Sequence, residues 1–307
     1  MKNEKLESAY AECRAIARSE AKNFYYSFVA LPEPRKNAIC AIYAFMRRAD
    51  DLADDENLST EERRKRLDAW LNEWRSISVN PTSEIASSDP VFIAVRDATE
   101  RFQIPLKLLD ELVAGVTMDL DHAASSSAPD TYATFAYLYR YCYLVASVVG
   151  LVCIRIFGYQ DPRAEKLAEE TGIAFQLTNI LRDIAEDAGR NRVYLPLEDL
   201  AAHKVSLDSL LHRKAAAPPT ENERALLSEI GRRAEGYYQS AQALMPLIDK
   251  ESRPALWVLV TIYHALLKRI ERAEYDVFSR RASVPMVEKL AILGVGLARM
   301  GWARVFS

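Results

Sequence analysis

The segment Gln176-Leu-Thr-Asn-Ile-Leu-Arg-Asp-Ile-Ala-Glu-Asp187 carries the residue types of a cation site. Gln176, Asn179, Asp183 and Asp187 fall at offsets of 0, 3, 7 and 11, which stacks them on one stripe of an α-helix. Asp is a poor residue inside a helix, and carboxylates four apart repel each other. A divalent cation with a taste for oxygen ligands, Mg²⁺ above all, relieves that repulsion and also accepts an Asn carbonyl. The plain alternative is a helix face turned to water. The flanks Gly172-Ile-Ala-Phe-Gln176 and Thr178-Asn-Ile-Leu181 are too apolar for an ordinary surface helix.

A second stripe lies upstream, in Ala38-Ile-Cys-Ala-Ile-Tyr-Ala-Phe-Met-Arg-Arg-Ala-Asp-Asp-Leu-Ala-Asp-Asp55. Tyr43, Arg47, Asp50 and Asp54 sit at offsets of 0, 4, 7 and 11, again on one helical face, with Asp51 and Asp55 beside them. One such run could be a fraying helix end in water. Two Asp-x-x-x-Asp pairs, each preceded by an aligned polar or basic residue, point to facing carboxylate stripes. Stripes of this kind can hold several Mg²⁺ ions between them, two or three being expected here, and the natural partner of such a cluster is a diphosphate.

On Ala41 to Asp54, Gln176 to Asp187 and Arg190-Asn-Arg-Val-Tyr-Leu-Pro196, the chain resembles the squalene/phytoene synthase family over essentially its whole length. The resemblance implies an all-α fold, a class I isoprenoid synthase helical bundle around a central cavity, spanning residues 1–307 as one domain. It implies head-to-head joining of two prenyl diphosphates, with Mg²⁺ on Asp50, Asp54, Asn179, Asp183 and Asp187. Tyr43, Arg47 and Tyr141 join those aspartates as catalytic positions. Lys22, Asn23, Phe24, Phe28, Val145, Ala146, Gln176, Arg182, Tyr263 and Arg280 match positions that contact substrate, together with Tyr43 and Arg47. Aromatic faces such as Phe24 and Phe28 suit a carbocation because they stabilise it without attacking it. The chain departs from the family where Ser and His commonly grip diphosphate, since it has Glu20-Ala-Lys-Asn23 there. Motif style is nearest to bacterial presqualene diphosphate and squalene synthases of hopanoid pathways, so farnesyl diphosphate is the expected substrate. Geranylgeranyl diphosphate, as in a phytoene synthase, is the alternative. NADPH enters only if the product is reduced to squalene.

Long Ala/Leu/Glu/Arg-rich segments and only 10 Gly in 307 residues support a helical build around a sizeable core. Helical signals run over 4–31, 58–75 (opened by Ser59-Thr-Glu-Glu62) and two segments within 91–123 that divide at Ile104-Pro105. Two more follow Pro218-Pro219. Polar loops are expected over 76–90 and 123–129, and 197–223 is the least patterned stretch. Tyr141 to Ile154 is apolar but stops at Arg155, so it reads as a core helix rather than a membrane span. The C-terminal Leu290–Trp302 segment, interrupted by Gly and Arg, is at most a surface-docking segment that permits peripheral membrane contact.

A net charge of −3 without a basic block argues against a nucleic-acid partner. Four scattered Cys and a charged N-terminus without an apolar stretch lead to an expectation of free thiols in a cytoplasmic protein, at most peripheral to the inner face of the membrane. A head-to-tail prenyl synthase or terpene cyclase also uses paired Asp motifs, but not Tyr43-x-x-x-Arg47 or Arg192-x-Tyr-Leu-Pro196. A non-enzymatic scaffold of the same fold would have lost the acids. A plain helical interaction protein would show no Mg²⁺-dependent stabilisation by diphosphate. Because like charges crowd each stripe, neutralising Asp50 or Asp183 is expected to leave stability unchanged or slightly raised.

Overall fold

The computed structural model describes residues 2–55, 57–79, 89–125, 129–213 and 217–305; the side chains of residues 2, 3, 22–24, 79, 119, 121–125, 130 and 300–305 lie outside that description. The first helical signal divides at Ala21 into α1 (Lys2–Glu20) and α2 (Lys22–Val29). After Leu31-Pro32 comes α3 (Glu33–Ala53), with Pro34 in its first turn, where a missing N–H costs nothing. Helix α4 (Thr60–Val79) opens where Ser59 Oγ accepts from the Glu62 N–H at 3.2 Å. It runs past Arg75 into what the sequence suggested was loop. Helices α5 (Pro90–Phe102) and α6 (Leu106–Ser125) part at Ile104-Pro105 as expected, the first capped by the Asp89 side chain on the Val91 N–H.

The apolar middle of the chain is not one uniform helix. Strand β1 (Asp130–Tyr132) leads into α7 (Phe135–Cys142), a π-helical turn at Tyr143–Ser147, and α8 (Val148–Phe157). By length and composition Phe135–Phe157 could cross a membrane, but half of its most apolar window is buried against neighbouring helices, as in a core helix. Helix α9 (Arg163–Gly189) follows, then β2 (Arg192–Pro196), which pairs in parallel with β1. The weakly patterned stretch holds two short helices, α10 (Leu197–Ala202) and α11 (Leu207–Leu211). Helix α12 (Glu221–Leu244) starts with a capping box between Thr220 and Glu223, and α13 (Arg253–Arg272) and α14 (Met286–Val305) complete the chain.

Two apolar clusters form the core. One joins α1, α3, α4, α5, α6 and α8; the other joins α7, α9, α12, α13 and both strands. In the first, Phe45 of α3 packs on Trp70 and Trp74 of α4 with ring centroids 4.7 and 5.3 Å apart, and both Trp rings meet Phe92 of α5. Each such pair adds about 0.5–1.5 kcal/mol beyond the area it buries. The cluster locks α4 to α3, whose acidic stripe lies at its C-terminal end. In the second cluster α9 lies along α12, where Thr178 Oγ1 and Tyr238 Oη share a buried hydrogen bond of 3.0 Å.

Gly172 lets α9 touch the π-helical turn directly. A Cβ there would stand 2.5 Å from Ser147 Cα and 2.7 Å from its backbone nitrogen, so no larger residue fits without driving the two helices apart. On the outer surface α14 shows Met286, Val287, Leu290 and Val295 at 56, 79, 52 and 46 % exposure. The four Cys are free; Cys13, Cys40 and Cys142 are buried, while Cys153 is only partly so.

Candidate active site

At the junction of the two clusters lies a cavity of about 270 Å³. Asp50 and Asp54 of the first stripe line it, together with Tyr141 and Val145. Met46, Leu112, Val116, Leu120 and Leu144 supply apolar wall, and Arg63, Arg190 and Arg192 add positive charge. Asp54 is the C-cap of α3 rather than part of the helix, yet its N–H still bonds the Asp50 carbonyl at 2.8 Å, which keeps the two acids a turn apart. Tyr141 is held by a stack: its ring lies 4.9 Å from Tyr194 of β2 and 5.4 Å from Tyr132 of β1. The small parallel sheet therefore braces a predicted catalytic residue, a role no local pattern announced.

Beside the cavity, Phe28 meets Tyr43 edge-on at 6.2 Å, and Arg47 pairs with Asp51 at 2.6 Å. Burial pushes the Tyr43 phenol up to about 12 against the pull of Arg47. Glu20 lies within electrostatic reach of both Tyr43 and Arg47, so the departure from the family pattern puts an extra negative charge at this corner.

The second stripe gathers a different set. Asn179 donates to Gln176 at 3.3 Å and hydrogen-bonds Tyr263, whose ring stacks on Phe175 at 4.4 Å. Asp183 is gripped by the adjacent Arg182 and by Arg281, whose Nε and Nη2 donate at 2.9 and 2.7 Å. Arg281, not its neighbour Arg280, reaches the stripe, and Arg280 is exposed. Burial alone would raise the Asp183 carboxyl; hydrogen bonds and charge from the two arginines outweigh it and hold the group below the ordinary carboxylate value. The crowded like-charge picture thus fails at Asp183, which is neutralised by partners remote from the Asp-x-x-x-Asp spacing. Nearby, burial and Arg182 push the Lys289 ammonium of α14 below its usual value, another cation that the sequence pattern did not single out.

Asp187 behaves as the spacing suggests. Burial, then Asp183 and Glu186, raise its carboxyl to about 7, with Arg192 and Arg190 offsetting only part of this. A folded-state value above the unfolded one means that the native state holds the proton longer. Stability without metal therefore falls as pH rises from about 4 to about 7 and levels off beyond. In EDTA, Asp187→Asn should melt higher than the parent chain, by a margin that is absent near pH 4 and grows to pH 7. A pH-independent difference in thermal scans would contradict that origin.

The donor set fits a hard divalent cation. Asn179 Oδ1 is buried without a hydrogen-bond partner, Asp187 lacks full neutralisation, and Asp50 and Asp54 share the cavity with cationic side chains. Among the described residues, however, no three acidic, His or Cys side chains converge on one point. Arg182 and Arg281 take up the Asp183 oxygens that a cation would use, and Asp183 and Asp187 do not line the cavity. Ala146 lies with its backbone against Gly172, while Leu144 joins Val145 at the cavity wall. The predicted contacts Lys22, Asn23 and Phe24 start α2, but their side chains lie outside the described part.

The squalene/phytoene synthase family profile matches residues 17–288, which include both acidic stripes, the cavity and Arg281. The chain belongs to the squalene/phytoene synthase family. It is 33 % identical to a 15-cis-phytoene synthase of Synechococcus elongatus over 96 % of this chain and 94 % of that one. It is 34 % identical to a phytoene synthase of Mycobacterium tuberculosis over 95 % and 92 %. Among solved structures, a dehydrosqualene synthase superposes with a TM-score of 0.80 at 27 % identity, covering 98 % of this chain and all of the other. The squalene/phytoene synthase chain is thus an all-helical isoprenoid synthase in fold and a prenyltransferase that condenses prenyl diphosphates head to head. Membership implies Mg²⁺-dependent diphosphate chemistry.

Proposed function

We propose that this squalene/phytoene synthase joins two geranylgeranyl diphosphates to the forty-carbon phytoene. The observation that carries the choice is identity of 33–34 % over nearly full length to two phytoene synthases. This reverses the order in which motif style ranks the two substrates. Farnesyl diphosphate and a thirty-carbon product form the second reading, supported by the superposition on a dehydrosqualene synthase.

Mg²⁺ held by Asp50, Asp54, Asn179, Asp183 and Asp187 would neutralise the departing diphosphate. Cationic side chains around both stripes, Arg47, Arg182 and Arg281 among them, orient that group and receive its charge. The C1–O bond of one substrate breaks, and the electron pair leaves with diphosphate. The double bond of the second substrate then attacks the allylic cation, and proton loss closes a cyclopropylcarbinyl diphosphate. A second C–O ionisation and rearrangement leave a linear allylic cation, and its loss of a second proton to released diphosphate gives phytoene. Tyr141 brings an aromatic ring to the cavity, Phe28 and Tyr43 pack edge-on against each other, and the apolar wall would exclude water that otherwise traps the cation.

Product analysis with each diphosphate separately, with and without NADPH, tests the substrate. A forty-carbon hydrocarbon from geranylgeranyl diphosphate is expected. A thirty-carbon product from farnesyl diphosphate, with nothing from the longer substrate, would overturn the choice.

A further inference from the structure

Arg63 stands in the first turn of α4, outside both acidic motifs, yet lines the cavity with Asp50 and Asp54. Its Nη1 donates to the main-chain carbonyl of Ala53, the last residue of α3, at 3.1 Å. Its Nε is buried and has no hydrogen-bond acceptor, and among the described residues no carboxylate pairs with this guanidinium. The other cavity arginines sit differently. Arg190 pairs with Glu186 at 3.2 Å, and Arg190 and Arg192 both lie close enough to Asp187 to lower its carboxyl.

Nor is Arg63 a drifting surface side chain. The contacts of Trp70 and Trp74 with Phe45 fix α4 against α3, so the start of α4 is held at the acidic end of that helix. A donor buried without an acceptor is unfavourable until an acceptor arrives. The planar fork of Arg matches phosphate oxygens, and one nitrogen already tied to a carbonyl leaves less freedom to lose when an anion binds.

We propose that Arg63 is a diphosphate-binding residue of the first acidic site, anchored to the end of α3 by one nitrogen and offering the rest of its fork to a substrate phosphate. It brings a positive group from a third helix into a cavity where Asp50 and Asp54 would otherwise repel the anion. The assignment rests on the diphosphate reading above, whichever prenyl chain is used. A merely structural Arg63 would instead act as a C-cap for α3 and nothing more.

The test compares the full-length chain with Arg63→Gln and Arg63→Lys. Calorimetric titrations use inorganic diphosphate and an unreactive farnesyl thiodiphosphate, each with Mg²⁺. Arg63→Gln should weaken both ligands roughly tenfold or more, and raise KM by a similar factor while kcat changes little. Arg63→Lys keeps the charge but not the fork, so its affinities should fall between the two. Both variants lose the Ala53 contact and should melt slightly lower to a similar extent. Should Arg63→Gln prove too unstable to titrate, Arg63→Lys decides the matter by the same measure. Affinities within twofold of the parent chain, alongside the melting loss, would reduce Arg63 to a cap and overturn the proposal. If the parent chain itself bound neither ligand with Mg²⁺, the diphosphate reading would fall, and this assignment with it.

Discussion

Asp183→Asn should lower turnover by at least about a hundredfold, and so should Asp50→Asn, because each removes a fixed charge that acts where the leaving group develops its own. The two variants part company in stability. Asp183 is the shared acceptor of Arg182 and Arg281, and its side chain and that of Arg182 are only 17 % and 18 % exposed. Removing its charge leaves a largely buried guanidinium without its counter-ion. A fully buried pair broken on one side costs about 3–5 kcal/mol, and partial exposure here reduces that to roughly half. At about 2–4 °C per kcal/mol for a chain of this size, a fall of about 5 °C in melting temperature is expected. Asp50→Asn leaves that pair alone and should melt near the parent chain. Steady-state turnover and thermal scans of the two variants decide the matter, and parent-like turnover in either would refute the metal assignment.

The second large effect is cooperative. Mg²⁺ alone must compete with Arg182 and Arg281 for Asp183, and a diphosphate alone meets the Asp50 and Asp54 carboxylates. Together each ligand removes the other's obstacle: the anion draws arginine away from the carboxylate, and the cation screens the acids from the anion. Mg²⁺ with farnesyl or geranylgeranyl thiodiphosphate should therefore raise the melting temperature by more than the two separate shifts combined. At a hundred times the dissociation constant the joint gain is about 2.7 kcal/mol, or about 5–10 °C. Strict additivity in a two-by-two melting experiment would mean that the ligands do not share a site.

Those two expectations mark where the sequence was legible and where it was not. Helices α3 and α9 declared themselves because their apolar faces and acidic stripes repeat at helical spacing, so Asp50, Asp54, Asn179, Asp183 and Asp187 were visible as candidates from one chain. What spacing cannot show is the partner that arrives from elsewhere. Arg281 reaches Asp183 across 98 positions. Arg63 reaches the end of α3 from the next helix, and Lys289 stands just before the segment read as surface-docking. The Tyr132–Tyr141–Tyr194 stack depends on the pairing of two strands too short to leave a period-two signal. Periodicity also misjudged sign, since it saw the repulsion along α9 but not the arginines that cancel it at Asp183.

The π-helical turn at Tyr143–Ser147 has a consequence for how this region can vary. Such a turn holds one residue more than an α-helix needs, so it sets the rotational phase between α7 and α8. Deleting a single residue there would close the segment into unbroken α-helix with α7 and α8 still in phase, whereas straightening the turn with every residue kept would rotate α8 by about 100° relative to α7. Val148, Val152 and Ile156 would leave their places in the core, and Leu144 and Val145 would lose their aim at the cavity. The close seat of Ser147 on Gly172 prevents α8 from shifting along α9 to compensate. Substitutions at Leu144 or Val145 can reshape the wall one side chain at a time, whereas straightening the turn at constant length moves every wall residue at once.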